Sequence, residues 1–241
     1  MNNFWKYLLM KKASSGADST LLDGLVAYYT MDSDATDSTD NNHDGTVNGA
    51  TNTAAKINNG YSFDGNDSIS IPNSTDLTFA DASGDLPFTF AMWFSVTAFN
   101  TNALIAKDDG TNREYALFIN STIFRMFLKD GTNGEQQSTD FSHTLSTGTL
   151  YHLICTYDGS GGANAADGIN LYVNNSIIAQ GYQIKGAYTK MANKSVDMTL
   201  GVYATNYHSG LEDEVAIWNR VLTSDERAEL YNSSNGNQYP F

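Results

Sequence analysis

Cysteine is almost absent from this sequence. Cys155 is the only cysteine among 241 residues, so the chain cannot form an internal disulfide and a packed core has to hold its fold. Cys155 lies within the apolar segment from Tyr151 to Tyr157, where we expect a small buried side chain. Strong helix formers are also few. The abundance of Gly, Asn, Thr, Ser and Asp instead favours short strands joined by turns.

Positive charge is scarce as well. Only 13 Lys and Arg residues oppose 27 Asp and Glu residues, which gives a formal net charge of −14. A surface of this sign repels the phosphate groups of nucleic acids, so we expect no nucleic-acid partner. It attracts divalent cations, although a plain acidic, solvated surface would have the same composition.

Long apolar runs are missing. The N-terminal run M-N-N-F-W-K-Y-L-L-M is short and interrupted by Lys6, and Lys11 and Lys12 follow it. It matches neither a signal peptide nor a membrane span, and we expect neither. The 4 histidines show no spacing typical of a zinc site. No Ser–His–acid grouping and no phosphate-binding glycine loop is present either.

The segment from Gly210 to Tyr231 carries the clearest structural pattern. Its first half alternates at period two, which predicts a central strand. Thr223 and Glu226 then form a capping-box pair, which predicts the start of a short C-terminal helix. The alternation divides the strand into one face with Leu211, Asp213, Val215 and Ile217, and an opposite face with Glu212, Glu214, Ala216 and Trp218.

Other segments predict further strands and tight turns. Residues 88–96 alternate apolar side chains on one face, which indicates a core strand. Residues 115–119 and 123–128 flank Asn120-Ser121, which indicates a hairpin. Asn174-Asn175 indicates a second tight turn, because asparagine tolerates a positive φ. We therefore expect many short antiparallel strands in a two-sheet sandwich.

The last segment, G-L-E-D-E-V-A-I-W-N-R-V-L-T-S-D-E, resembles the C-terminal signature of the laminin-G-like, concanavalin A-like jelly-roll family. Six earlier segments of the chain are also similar to this family and occur in the family's order, at residues 24–31, 37–49, 60–73, 88–94, 151–159 and 171–175. The resemblance implies an all-β jelly-roll sandwich of two antiparallel sheets with a short C-terminal helix. We place this domain at residues 21–241, after an N-terminal arm and linker at residues 1–20.

An acidic loop predicts a calcium site. Asp40, Asn42, Asp44 and Gly45 match the first half of a calcium-binding loop, but Thr51 stands where the bidentate glutamate belongs, which excludes an EF-hand. In the family the first and last strands are neighbours, so carboxylates from both ends of the chain could meet. The predicted ligands are Asp37, Asp44, Asp64 and Asp213. Side chains that only bond their own turns are the alternative.

The consecutive acids Glu212-Asp213-Glu214 only superficially resemble the catalytic carboxylates of jelly-roll glucanases. Those enzymes alternate their acids along one face, whereas only Glu212 and Glu214 would share a face here. Two such residues are about 6.5–7 Å apart along a strand, between the separations of retaining and inverting glycosidases. We therefore expect no enzymatic activity.

Aromatic residues cluster in the late loops, at Tyr182, Tyr188, Tyr203 and Tyr207. Tyrosine rings stack on sugar C–H faces, while Asn and His side chains bond sugar hydroxyls. The predicted ligand-binding residues are Tyr203, Asn206, Tyr207 and His208. Ordinary packing at the rim of the sandwich is the alternative.

The N-terminal arm is too apolar to remain in water. We expect it to contact a partner protein or a second copy through Phe4, Trp5, Tyr7, Leu8 and Leu9. The predicted function is a non-enzymatic binding or adhesion module for glycan or protein. The arm would fix it to a larger extracellular assembly, such as the surface of a phage virion. The alternatives are a secreted bacterial carbohydrate-binding domain and a glycoside hydrolase.

Overall fold

The computed structural model describes residues 19–131 and 135–241. Within these ranges the chain forms eighteen strands and one α-helix, α1 (Ser224–Tyr231). The strands are β1 (Leu25–Tyr29), β2 (Thr46–Asn48), β3 (Thr51–Ala54), β4 (Asn59–Asp64), β5 (Ser68–Ile71), β6 (Phe88–Val96), β7 (Thr101–Asp108), β8 (Arg113–Asn120), β9 (Ile123–Lys129), β10 (Gln136–Ser142), β11 (Tyr151–Tyr157), β12 (Ile169–Val173), β13 (Ser176–Ile178), β14 (Gln180–Lys185), β15 (Met198–Leu200), β16 (Val202–Tyr203), β17 (Asn206–Tyr207) and β18 (Ser209–Trp218).

Two antiparallel sheets face each other. The first has the order β13-β12-β11-β6-β18-β4-β3, and β1 also pairs with β18. The second has the order β14-β10-β9-β8-β7-β15-β5-β2, and a small hairpin of β16 and β17 is attached to it. This arrangement confirms the predicted jelly-roll sandwich.

β18 is a central strand, as predicted, because it pairs with β6, β4 and β1. The predicted division of its faces is confirmed after the bulge, where Val215 and Ile217 face the main core and Ala216 and Trp218 face the other side, but it is wrong for Glu212. A bulge lies between Asp213 and Ala216, and Glu214 adopts the left-handed conformation with φ of 51°. The bulge breaks the period-two alternation. Glu212 therefore lies opposite Phe94, on the core side that Val215 and Ile217 also occupy farther along the strand.

The main core fills the space between the sheets and is rich in aromatic rings. Phe88 stacks on Phe90 with ring centroids 4.6 Å apart, and Phe79 from the loop before β6 packs against both. Truncating a buried ring of this kind costs about 3–5 kcal/mol of stability. Cys155 belongs to this core, and burial raises the pKa of its thiol, so it is an unreactive apolar side chain.

Helix α1 covers the outer face of the first sheet. Its capping box forms as predicted, because Thr223 accepts from the Glu226 amide while the Glu226 carboxylate accepts from the Thr223 amide. Leu222 and Leu230 then pack with Trp218 in a second core. The outer face of the second sheet carries the β16–β17 hairpin instead. Within the described ranges no helix has the length and apolar character needed to cross a bilayer.

Candidate functional site

The β16–β17 hairpin folds onto the outer face of the second sheet. Gly201, with φ of 77°, begins the turn into it, and a side chain there would collide with Phe63 at 2.4 Å. Tyr203 on the hairpin stacks on Phe118 of β8 with ring centroids 5.1 Å apart, and its edge meets Phe127 of β9. These rings fix the position of the hairpin on the sheet.

An ion pair fastens the same hairpin from the side. The Arg113 guanidinium donates to Asp108 at 2.6 Å and to the Tyr203 hydroxyl at 2.5 Å. Burial raises the pKa of Asp108, although the hydrogen bond from Arg113 opposes this effect. Burial likewise raises the pKa of Tyr203, so its hydroxyl is neutral at physiological pH. Hairpin and sheet therefore behave as one rigid support.

A groove of about 470 Å³ opens beside this support, and we call it the hairpin groove. It lies where β5, β7, β15 and the hairpin meet. The partly exposed ring of Tyr207 forms part of its wall. Its other polar lining includes Ser70, Asp108, Asp109, Ser195 and Asp197. Carboxylates, hydroxyls and an aromatic ring therefore face one open space.

Two other grooves are less suited to a ligand that stacks on a ring. One of about 620 Å³ lies beside β1, but Phe79 in its lining is only 1% exposed. Another of about 380 Å³ lies beside Lys190, and the residues described in its lining include no aromatic side chain. Although it is not the largest of the three, the hairpin groove alone among them offers an accessible aromatic ring.

The predicted ligand-binding residues have different positions. Tyr203 supports the hairpin and Tyr207 lines the hairpin groove. Asn206 donates to the Tyr203 carbonyl at 3.4 Å and keeps a partly exposed side chain. His208 requires a correction. It is fully buried beside Phe63, and burial lowers its pKa to about 4, so it is a neutral core residue that cannot reach a ligand.

The sequence did not indicate the acidic and hydroxyl residues of the hairpin groove. Asp108 and Asp109 precede Gly110 in a turn, while Ser70 lies far away in the sequence. They meet because β15 pairs with both β5 and β7. The one local signal was Asp109-Gly110, which predicts a turn but not a site.

The four predicted calcium ligands do not form one group, although Asp37 and Asp44 are adjacent in the same loop. The Asp37 carboxylate accepts from the amides of Tyr28, Thr39 and His43, so it serves its own loop. Asp44 accepts from the Asp37 amide. Asp64 is exposed at the end of β4. Asp213 accepts from the amides of Lys56 and Ile57. Within residues 19–131 and 135–241 no group of three or more His, Cys, Asp or Glu side chains could hold a metal ion. Calcium binding itself stays a prediction.

The acids of β18 lie away from every groove described above. Glu212 is buried in the core, and neither of its carboxyl oxygens has a hydrogen-bond partner among the described residues. Glu214 accepts from the Tyr28 hydroxyl and from Gln238 at 2.9 Å, under the C-terminal tail. Burial first, and neighbouring acids second, raise the pKa of Glu214 to about 8. A sugar cannot reach these two carboxyl groups as a catalytic pair.

The predicted arm lies largely outside the described residues. This applies to Phe4, Trp5, Tyr7, Leu8 and Leu9, whose predicted contacts stay predictions. The first described residues are fixed to the domain. Leu21 is buried in the second core, and the Thr20 hydroxyl donates to Glu226 of α1.

Comparisons with known proteins agree with the observed fold. The family model of the concanavalin A-like lectin/glucanases superfamily matches residues 63–226. No curated protein sequence is significantly similar to the chain.

Two of the solved structures with a similar fold are binding domains of toxins. The binding domain of Paraclostridial Mosquitocidal Protein 1 is 17% identical with a TM-score of 0.68, over 88% of this chain and 52% of that one. The binding domain of botulinum neurotoxin DC, in complex with SialylT, is 15% identical with a TM-score of 0.65, over 88% and 52% of the two chains. This chain thus spans about half the length of the toxin domains.

A third structure is matched over nearly its whole length. Domain 4 of AbnA, a GH43 extracellular arabinanase from Geobacillus stearothermophilus in complex with arabinotriose, is 17% identical with a TM-score of 0.59. The match covers 88% of this chain and 98% of that domain. At these identities the three likenesses show the fold alone.

Proposed function

Because the chain belongs to the concanavalin A-like lectin/glucanase superfamily, we propose that it is a non-enzymatic carbohydrate-binding module with its ligand in the hairpin groove. One observation carries this proposal. The partly exposed Tyr207 ring borders an open groove whose other walls present carboxylates and serine hydroxyls. The groove lies at the second sheet, whereas helix α1 and the C-terminal tail cover part of the first.

The chemistry of the groove matches that of a sugar ring. A sugar presents an apolar C–H face, which stacks on a phenol ring, and a rim of hydroxyls, which donate to carboxylates. The Asp197 carboxylate accepts from the Asn73 amide through Oδ1 at 2.9 Å, which orients the group and leaves Oδ2 for a ligand. The rigid hairpin holds Tyr207 in place, so binding requires little ordering of the protein.

The relatives support this reading in a general way. The structure of the arabinanase domain contains arabinotriose, and that of the neurotoxin domain contains SialylT. Both are carbohydrate complexes, although the match covers only 52% of the neurotoxin domain. The alternative of a glycoside hydrolase loses its main argument, since Glu212 and Glu214 are buried away from the groove.

A further part of the proposal concerns display. The arm of residues 1–20 would attach the module to a larger extracellular assembly, such as a phage virion, through a partner protein or a second copy. Its support is the sequence alone, namely the apolar residues Phe4, Trp5, Tyr7, Leu8 and Leu9 ahead of the domain. The alternative is a secreted bacterial carbohydrate-binding domain.

Titration calorimetry with arabinotriose and lactose tests the binding function. We expect the protein to bind at least one of them, and Tyr207→Ala to weaken that binding at least about tenfold, which corresponds to about 1.4 kcal/mol. The matched control is Tyr182→Ala, since Tyr182 is 69% exposed on β14 and lies outside the groove lining. If both variants lost affinity equally, or if Tyr182→Ala alone lost affinity, the ligand would bind outside the hairpin groove.

A further inference from the structure

The hairpin groove has a one-sided charge. Three aspartates line it, at positions 108, 109 and 197, and its described lining contains no Lys, Arg or His side chain. The groove and the Tyr207 ring define the site, whereas the carboxylates decide which charge a ligand can carry. The effect on a charged ligand depends on how many of these carboxylates have no cation beside them.

Within the part of the chain that the structure describes, one of the three carboxylates is paired with a cation. Asp108 accepts from Arg113 at 2.6 Å, so this pair is close to neutral. Asp109 accepts from the amides of Thr111 and Asn112 and from the Asn112 side chain, all of them uncharged groups. The hydrogen bond from the Asn112 amide lowers the pKa of Asp109, so this carboxyl is ionised at neutral pH.

Asp197 adds a second uncompensated charge. Its carboxylate accepts from the uncharged Asn73 amide at 2.9 Å, and the residue is exposed. Two exposed carboxylates thus act on any ligand that enters the groove. The chain as a whole carries a net charge of −14, so its wider field has the same sign.

We propose that the hairpin groove takes neutral oligosaccharides and discriminates against sugars that carry a carboxylate, such as uronic and sialic acids. This inference rests on the proposed carbohydrate-binding function. Neutral sugar hydroxyls donate to Asp109 and Asp197, whereas a ligand carboxylate can only be repelled by them. At a separation of about 4 Å in a water-like medium, one such repulsion weakens binding about fivefold.

The cationic part of the second sheet offers the competing location for an acidic sugar. Arg125 on β9 lies on its outer face with a partly exposed side chain. Its guanidinium, however, binds both oxygens of Asp140, at 2.5 Å and 2.7 Å. The bidentate pair uses the donors that an acidic ligand would need. Arg125→Gln therefore serves as the variant that reports binding at this second location.

The test uses two ligand pairs that differ mainly in charge. One pair is trigalacturonic acid and its fully methyl-esterified form, and the other is 3′-sialyllactose and lactose. Titration calorimetry on the full chain at low and high salt is carried out with the wild type, Asp197→Asn, Tyr207→Ala and Arg125→Gln. Asp225→Asn is the matched control, because Asp225 is an exposed acid on α1.

We expect the neutral member of at least one pair to bind about fivefold or more tightly than its acidic counterpart at low salt. Salt should narrow this gap, since it screens exposed charges. Asp197→Asn should narrow it as well, and Asp225→Asn should leave it unchanged.

Three outcomes overturn the inference, and they differ in what else they affect. If acidic sugars bind as tightly as neutral ones or more tightly, and Tyr207→Ala abolishes this binding, the charge argument fails while the groove stands. If Arg125→Gln abolishes binding and Tyr207→Ala does not, carbohydrate binding stands at another location. If no member of either pair binds and arabinotriose does not bind either, the proposed function fails together with the inference.

Discussion

The ring of Tyr203 on β16 stacks on Phe118 of β8, with centroids 5.1 Å apart and planes inclined by 16°. This contact joins the hairpin to the sheet and thereby places Tyr207 at the groove. We expect Tyr203→Ala to lower the free energy of unfolding by about 1–3 kcal/mol, through lost apolar area and lost ring contact. Ligand binding should fall in the same variant.

Tyr203→Phe is the matched control for this prediction. It keeps the stacked ring and removes only the hydroxyl that accepts from Arg113, which still has Asp108. Urea unfolding and calorimetry should therefore show a smaller loss for Tyr203→Phe than for Tyr203→Ala. Equal losses would mean that the hydroxyl, and not the stacked ring, holds the hairpin.

The consecutive acids of β18 predict an unusual pH dependence of stability. Burial raises the pKa of Asp213 to about 7 and that of Glu214 to about 8, and it also raises the pKa of Glu212. A carboxyl group whose pKa is higher in the folded state favours folding most below its unfolded pKa, which is about 4. This contribution is lost as pH rises from about 4 through about 8.

The melting temperature should therefore fall as pH is raised from about 5 to about 8. At acidic pH, Glu226 has the opposite effect, because its contribution to stability falls as the pH is lowered. Its hydrogen bond from Arg220 lowers its pKa to about 2, so its contribution is lost only as pH falls below about 4. Burial lowers the pKa of His208 to about 4 and that of His152 to about 3, so the contribution of these two residues to stability is also lost as pH falls below about 6.5. Because three carboxyl groups with raised pKa values oppose two histidines, differential scanning calorimetry should still show a stability maximum near pH 5, and a maximum at pH 8 would contradict these assignments.

Glu212→Met tests the buried carboxyl by itself. The substitution removes two oxygens that lack hydrogen-bond partners and keeps most of the side-chain volume in the core. We expect a gain of about 1–3 kcal/mol in the free energy of unfolding, larger at pH 8 than at pH 5. A loss of stability at both pH values would mean that the carboxyl group does have a stabilising partner.

Some elements of the fold could be predicted from the sequence, and others could not. The strand at residues 88–96 was predicted correctly, because alternating apolar residues directly indicate a face that packs in the core. The Asn174-Asn175 turn was also confirmed, with φ of 50° and 59°, because it depends on local backbone preferences. The capping box of Thr223 and Glu226 is local in the same way.

Features that depend on tertiary pairing could not be predicted from the sequence. β10 reads Q-Q-S-T-D-F-S and β14 reads Q-G-Y-Q-I-K, so neither has an apolar alternation, and they form because β10 pairs with both β9 and β14. The bulge at Glu214 changes which side chains of β18 face the core, and no glycine marks the bulge in the sequence. The groove required Ser70, Asp108 and Asp197 to meet through the pairing of three strands.

Chelation tests the calcium prediction. Since Asp37, Asp44, Asp64 and Asp213 do not form one group, and only Asp37 and Asp44 are adjacent, we expect EDTA to leave the melting temperature unchanged. A folded-state calcium site held at 100 times its dissociation constant would add about 2.7 kcal/mol of stability. A melting temperature that rises with added CaCl₂ and falls with EDTA would restore the calcium site.

Deletion of residues 1–18 tests the arm. This boundary keeps Thr20 and Leu21, which contact α1 and the second core. We expect a folded, monomeric domain with an unchanged melting temperature that no longer associates with a second copy or a partner. Light scattering after size exclusion measures association, and a sharply lower melting temperature would show that the arm packs on its own domain.

Mapping the ligand by amide NMR tests the central claim most directly. Arabinotriose, or whichever neutral sugar binds in calorimetry, is titrated into the ¹⁵N-labelled protein while amide shifts are followed. The account predicts that the largest changes occur at Asp109, Asp197 and Tyr207 around the hairpin groove. Changes confined to the groove beside β1 or to the region of Arg125, with the amides of the hairpin groove unmoved, would contradict it.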